Sequence, residues 1–241
     1  EARKVNLVLP FVDPAVELCA RLKPLCPGVF IPVSDETLCH AMFDKLLAYR
    51  LFAEKGLPQP PLAGDTFPRI YKPRKGSASK GIIVARSARE VPPHICADDY
   101  LIQQFVEDAR EFTVDCYVRT DGEVLSVVPR ERLETAGGEA MRSITVADPD
   151  LLALSHRVLD ALPLRGPVTL QFLRTPGGEY LLMEINPRLG GGVVTGIGAG
   201  SRMPQMLAQE TLGLKPEPFH DWVPGTLMTR YTQEIIFAPC R

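Results

Sequence analysis

The segment from residue 167 to residue 186 constrains this chain more than any other. Two apolar runs, Val168-Thr-Leu-Gln-Phe-Leu173 and Glu179-Tyr-Leu-Leu-Met-Glu-Ile-Asn186, flank Thr-Pro-Gly-Gly. Runs of this length joined by a glycine turn make an antiparallel hairpin. That excludes an all-helical fold and a sheet built only from βαβ crossovers. With Gly177-Gly178 as a two-residue turn, Gln171 falls opposite Glu184, their Cβ atoms about 5 Å apart. Asn186 shares their face because side chains alternate along a strand. Met183 and Ile185 are expected to point the other way, into the core. Pro187 stops the ladder and Arg188 follows. One patch thus carries amide and carboxylate oxygens with a guanidinium at its edge. Oxygen donors with few carboxylates suit Mg²⁺ that also takes oxygens from a phosphate; a solvated strand face is the plain alternative.

A second hairpin is predicted over residues 111–130, turning at Asp121-Gly122. It sets Arg130 opposite Thr113, beside Glu111 and Asp115. Glu111 and Arg130 are therefore expected neighbours, in a cross-strand ion pair worth under about 1 kcal/mol or in a site. Elsewhere, Asp13-Pro14 opens a helix, Ser34 caps one running to Gly56-Pro58, and Ser87-Ala-Arg-Glu90 reads as a capping box. Further helices cover 148–162 and about 202–212. Short strands are expected at 5–9, 29–31, 100–106 and 227–237, with strand, glycine loop and strand between Phe67 and Arg86. Strands and helices intermix with antiparallel hairpins, which favours α+β over a doubly wound parallel sheet.

Two lysines stand out. On the helix from Ser34, Leu38, Met42, Lys45, Tyr49 and Phe52 form one stripe, where a lysine either snorkels or reaches an anion. Lys72 precedes Gly76-Ser-Ala-Ser-Lys-Gly81, a loop whose N–H groups can wrap a phosphate. It is not a P-loop, because Ile82 stands where that motif has Lys-Ser or Lys-Thr. The glycines at 190–192 and 196–200 do not follow the first strand of a βαβ unit, so they are no dinucleotide fingerprint. They bring backbone close to a ligand or simply form turns.

Charge and composition narrow the classes further. Lys plus Arg is 27 and Asp plus Glu is 29, a net charge of −2, which argues against a nucleic-acid binder working by phosphate neutralisation. No apolar run reaches the roughly 18 residues of a membrane span. The six cysteines form no CxxC pair and the four histidines are isolated. Reduced thiols in a cytoplasmic protein are therefore expected, with neither a zinc site nor a Cys–His nucleophile. The chain begins Glu-Ala-Arg-Lys, without Met, and reads as a piece of something longer.

Taken in order, these pieces resemble the ATP-grasp superfamily, and look most like the ATP-binding halves of the carbamoyl-phosphate synthase large chain and stand-alone carboxylate–amine ligases. The likeness covers residues 34–237. Its most specific element is Leu182-Met-Glu-Ile-Asn-Pro-Arg188, preceded by Gln171. The resemblance implies Gln171, Glu184 and Asn186 as ligands of Mg²⁺ or Mn²⁺, two ions in all, and Arg188 on the transferred phosphate. It implies Lys45 and Lys72 as phosphate-contacting cations and Gly76, Ser77, Ser79 and Gly81 as the covering loop. Main chain from Gln104 through Phe105 to Val106 would meet the adenine edge, and Glu111 the ribose. Thr229-Arg-Tyr231 matches a C-terminal strand of many members.

The implied fold is two α+β lobes holding ATP between them, residues 33–106 and 107–241, after a remnant of a small α/β domain in residues 1–32. Three departures stand out: a short stretch from Pro61 to Phe67, Gln103-Gln104 in place of the commoner acid, and the truncated preceding domain. The implied function is an ADP-forming ligase that activates a carboxylate as an acyl phosphate for attack by an amine. Lys72, Arg130 and Arg188 are the catalytic candidates, with Arg130 and Arg142 on the substrate carboxylate. Loops 131–145 and 189–203 would set selectivity. Phosphorylation of bicarbonate or carbamate, and a non-catalytic ATP-binding module, remain the alternatives. Small-molecule partners are expected, with no nucleic acid or membrane; a homodimer is one state open to the chain.

Overall fold

The computed structural model describes residues 4–76 and 79–237. Three helices lead the chain: α1 (Asp13–Leu22), α2 (Glu36–Phe43) and α3 (Lys45–Glu54). The single helix expected from Ser34 is broken at Asp44, whose backbone is extended (φ −99°, ψ 108°). Its carboxylate accepts from the N–H groups of Leu46 (3.0 Å) and Leu47 (3.3 Å) and so caps α3. Arg74 then clamps the same carboxylate, Nη2 to Oδ2 at 2.6 Å. Burial alone would raise the Asp44 carboxyl, but the Arg74 bonds and the two N–H groups outweigh it and hold the group below its ordinary range. Asp35, not Ser34, caps α2 through Leu38 N–H at 2.7 Å. Ser34 Oγ instead accepts from Arg165 N–H, 131 residues away, at 2.9 Å.

Two antiparallel sheets follow. The smaller is β1 (Arg69–Pro73), β2 (Ile83–Ala85) and β3 (Tyr100–Gln104), in the order β2-β1-β3. The larger has β4 (Arg110–Val118), β5 (Val124–Ala136), β6 (Glu139–Thr145), β7 (Gly166–Arg174), β8 (Tyr180–Asn186) and β9 (Leu227–Thr229), in the order β8-β7-β4-β5-β6-β9. Helix α4 (Pro149–Ala161) is capped by Asp148; α5 (Val193–Gly198) and α6 (Met203–Thr211) come after β8. Residues 131–145, expected as a loop, are the end of β5 and its return strand β6. The segment 189–203 contains α5. The last strand stops at Thr229 rather than Phe237, and the 5–9 and 29–31 runs share one parallel bridge, Leu7 to Phe30. Ser87 opens only a 3₁₀ turn over Ala88–Glu90, with its hydroxyl on the Glu90 carboxylate.

The large sheet is apolar on one face. Phe112, Val114, Cys116, Val127, Leu170, Phe172, Leu182 and Ile185 pack there against Leu151, Val158 and Leu159 of α4. Leu38, Met42, Ala48 and Phe52 join the same cluster, so α2 and α3 are anchored on the large sheet. A second cluster, around Tyr117, Leu125, Val128, Met203 and Met206, covers part of the opposite face. No helix among the described residues is long and apolar enough to cross a membrane. The five described cysteines are free thiols, and Cys240 lies outside the described residues.

The register of β7 and β8 carries the functional reading. Gln171 does lie opposite Glu184, and Thr169 opposite Asn186. The route differs from expectation. The turn runs from Thr175 to Glu179, which pairs Phe172 with Leu182 and Leu173 with Leu181, one residue off. A bulge between Gln171 and Phe172 absorbs the offset by leaving Met183 unpaired. Met183 and Glu184 therefore both face away from the core, and Met183 lines the cleft instead of pointing into the core.

Candidate active site

Strand alternation gathers polar residues on one face of the large sheet. Glu111, Thr113 and Asp115 stand there on β4, Arg130 and Arg132 on β5, Ser143 and Thr145 on β6, Thr169 and Gln171 on β7, and Glu184 and Asn186 on β8. Half of this face is open and half is covered, which decides what each residue can do.

The open half forms a cleft of about 570 Å³ between the two sheets. Nine of the expected site residues line it. Lys45 comes from α3, and Lys72, Gly76 and Ser79 from the small sheet and its loop; Glu111, Gln171, Glu184, Asn186 and Arg188 come from the large sheet and its edge. Lys45 is the first residue of α3, not the middle of a helix, and its Nζ donates to the Gly76 carbonyl at 2.9 Å. Lys72 is buried, and its Nζ donates to Gln103 Oε1 at 3.0 Å. Gln103 Nε2 in turn donates to the Pro60 carbonyl at 3.0 Å. Burial lowers the Lys72 ammonium to about 8, helped by the nearby Lys45 charge and opposed by Glu184 and Glu111. Gly81 stands behind Pro73, not on the cleft wall. Ser77 lies outside the described residues.

The cleft lining does not reach residues 104–106. Gln104 N–H donates to the Pro61 carbonyl (2.9 Å) and Phe105 N–H to the Pro68 carbonyl (3.1 Å). Those two donors are spent inside the protein. Val106 N–H carries no hydrogen bond among the described residues.

The covered half holds Arg130. It is 3% exposed, and its Nε donates to Asp115 Oδ2 at 2.8 Å. The expected Glu111–Arg130 pairing is thus replaced by two pairs, Arg130 with Asp115 and Arg132 with Glu111, the latter at 2.8 Å. Arg130 does not reach the cleft, because the segment after Arg188 lies on it. A Cβ on Gly192 would sit 2.5 Å from Arg130 Cζ, and one on Gly190 would sit 2.8 Å from Thr169 Oγ1. Those glycines let backbone approach a buried guanidinium and a threonine, the physical reason for two of the glycines in the run. Arg142 alternates with Ser143, whose hydroxyl is 2.7 Å from Thr195 Oγ1 under the cover. Arg142 therefore projects from the other face, away from the cleft.

Arg132 and Asp13 are two of the cleft residues that the sequence does not single out. Arg132 is two residues past Arg130 on the same strand face, a spacing that could have revealed it; its Nη2 donates to the Gly138 carbonyl at 2.8 Å. Asp13 lines the cleft from α1, far from the hairpin in sequence, and its Oδ1 accepts from Arg188 Nε at 2.5 Å.

Cation binding needs oxygens that converge. With its nitrogen toward the carboxylates, the Asn186 amide donates to Glu184 Oε1 (3.2 Å) and Asp13 Oδ1 (3.1 Å). Glu184 and Asn186 thus meet at one point, with Gln171 directly across from Glu184. Turning the amide would bring its oxygen to that point, and a set of carboxylate and amide oxygens fits a hard cation such as Mg²⁺.

Known proteins carry matching patterns. The family profile described as ATP-grasp in the biosynthetic pathway with Ter operon matches residues 97–234. A D-alanine–D-alanine ligase of Geobacter sulfurreducens is 26% identical over 200 residues, covering 70% of this chain and 60% of the relative. A probable alpha-L-glutamate ligase of Legionella pneumophila is 25% identical over 194 residues, covering 63% of this chain and 61% of the relative. This chain therefore spans less than two thirds of the length of those curated relatives. Among solved structures, the biotin carboxylase domain of Hydrogenobacter thermophilus 2-oxoglutarate carboxylase, in complex with MgADP and bicarbonate, superposes with a TM-score of 0.74 at 15% identity, covering 91% of this chain and 56% of that one.

Proposed function

Because this chain belongs to the ATP-grasp family, we propose that it is an ATP- and Mg²⁺-dependent, ADP-forming ligase that activates a carboxylate as an acyl phosphate for attack by an amine. The observation that carries this reading is one cleft lined by Lys45, Lys72 and Arg188 together with Gln171, Glu184 and Asn186. Phosphoryl transfer needs positioning and charge neutralisation more than covalent chemistry from the protein, and this cleft has groups for both.

In the proposed reaction a substrate carboxylate oxygen attacks the γ-phosphorus of ATP, and the bond to the bridging oxygen of ADP breaks. An amine then attacks the acyl carbon and inorganic phosphate leaves. Lys45 and Lys72 meet the polyphosphate, the loop from Gly76 to Gly81 covers it, and Arg188 meets the moving phosphoryl group. Gln171, Glu184 and Asn186 would hold Mg²⁺, which when bound neutralises phosphate charge and polarises the transferred group. Glu111, now held by Arg132, would turn to the ribose hydroxyls, and Val106 N–H, which carries no hydrogen bond among the described residues, would meet the adenine edge. Loop closure excludes water, which an acyl phosphate requires. Arg130 has no part in this scheme beyond supporting the sheet face.

D-alanine and L-glutamate, taken from the names of the relatives, lead the carboxylates to be tried. The test is ADP release from MgATP over a panel of amino acids with bicarbonate included. Release stimulated by an amino acid supports the ligase; stimulation by bicarbonate alone moves the reading to carboxyphosphate chemistry. Tight ATP binding with no stimulated release would leave a nucleotide-binding module and overturn the proposal.

A further inference from the structure

Among the described residues, Arg188 is the one cleft cation fixed by a carboxylate from outside the two sheets. Asp13 sits at the first position of α1, 175 residues away in sequence, and its Oδ1 accepts from Arg188 Nε at 2.5 Å. Both side chains are mostly buried, 12% and 15% exposed. An acid at a helix start ordinarily caps or complements the dipole. Here Val12 is the cap residue and no side-chain cap bond is made, so the Asp13 carboxylate is turned to the guanidinium. The Leu189 carbonyl takes Arg188 Nη1 at 3.1 Å. The remaining nitrogen, Nη2, lies 3.4 Å from the Asn186 amide, and Asn186 and Arg188 both line the cleft. The planar guanidinium is therefore pinned on two of its three nitrogens, and the same Asp13 oxygen also receives the Asn186 amide at 3.1 Å.

We propose that Asp13 is a positioning residue: it orients the Arg188 guanidinium so that Nη2 faces the transferred phosphoryl group, which makes the N-terminal segment part of the working site. The inference rests on the ATP-dependent reading of the cleft. Misplacing such a group by an ångström costs roughly 100-fold in rate, so the effect belongs in kcat and not in nucleotide affinity.

The test uses the whole chain and the variants D13A and D13E. In the free protein, without nucleotide or metal, the Arg188 Nε–H signal in the ¹⁵N spectrum is identified by its loss in R188K. In D13A its exchange with solvent should speed up at least about tenfold, because the bond that protects it is gone; D13E should restore protection. Steady-state ADP release from MgATP should fall about 10–100-fold in kcat in D13A, with KM for ATP changed less than about twofold, and recover in D13E. An Arg188 signal and kcat unmoved in D13A, even with a lowered Tm, would overturn the proposal and leave Asp13 a mere tether. If the wild-type chain releases no ADP, the ligase reading fails, while the Arg188 signal still decides the role of Asp13.

Discussion

Replacing Gly192 by alanine tests whether Arg130 is a buried support. Gly192 has φ −93°, which any residue can adopt, so the substitution adds no backbone strain. It adds one methyl group, 2.5 Å from Arg130 Cζ and Nη1 and 2.6 Å from Nη2. The end of a long side chain usually gives way cheaply. Arg130 has nowhere to go: it is 3% exposed and bonded to Asp115, itself 1% exposed. Overpacking of this kind costs about 1–3 kcal/mol, and about 3–5 kcal/mol if the buried pair separates. For a chain of this size the first range lowers Tm by roughly 2–12 °C. Gly198 is the control, at the other end of α5, with nothing within 4 Å of an added Cβ and an ordinary φ; G198A should be neutral or slightly stabilising. Scanning calorimetry of both variants reads the difference. Equal Tm values would show that Arg130 is not fixed under the loop.

Other outcomes follow from the same geometry. Lys72 loses its charge as pH rises through about 8, so ATP affinity measured by calorimetry should fall about tenfold between pH 7 and 9, while K72R should hold it level across that range. The Asp44 carboxyl is held below its ordinary value, so its contribution to stability is complete above pH 4 and is lost as pH falls further. D44N keeps a capping oxygen but loses the charge-assisted Arg74 clamp, so it should melt below wild type at pH 7, with the gap closing in acid. Phe172 is fully buried among the large-sheet residues, and F172A should cost about 3–5 kcal/mol in urea unfolding.

Local patterning made the sheet-borne half of the site legible. Alternation along two hairpins put Gln171, Glu184 and Asn186 together, and Glu111 on their face. The Gln171–Glu184 pairing came out right by two offsetting departures, a turn displaced toward Thr175 and a bulge at Met183. Turn type and bulges depend on the whole sheet, so sequence periodicity does not see them. Lys45 lines the cleft from the first position of α3 rather than from mid-helix, since Asp44 breaks the helix that the apolar stripe runs through. Arg130 was misplaced because alternation assigns a face but not what covers it, and the cover is a glycine segment 60 residues downstream. Asp13 was invisible because nothing local marks a partner 175 residues away.

An acyl phosphate made in this cleft is directly trappable. Hydroxylamine added to the chain with MgATP and each carboxylate of the panel traps that species as a hydroxamate. Hydroxamate should form in step with ADP for at least one carboxylate and be lost in E184Q. ADP formed without hydroxamate for every carboxylate, or full hydroxamate yield in E184Q, would contradict the proposed chemistry.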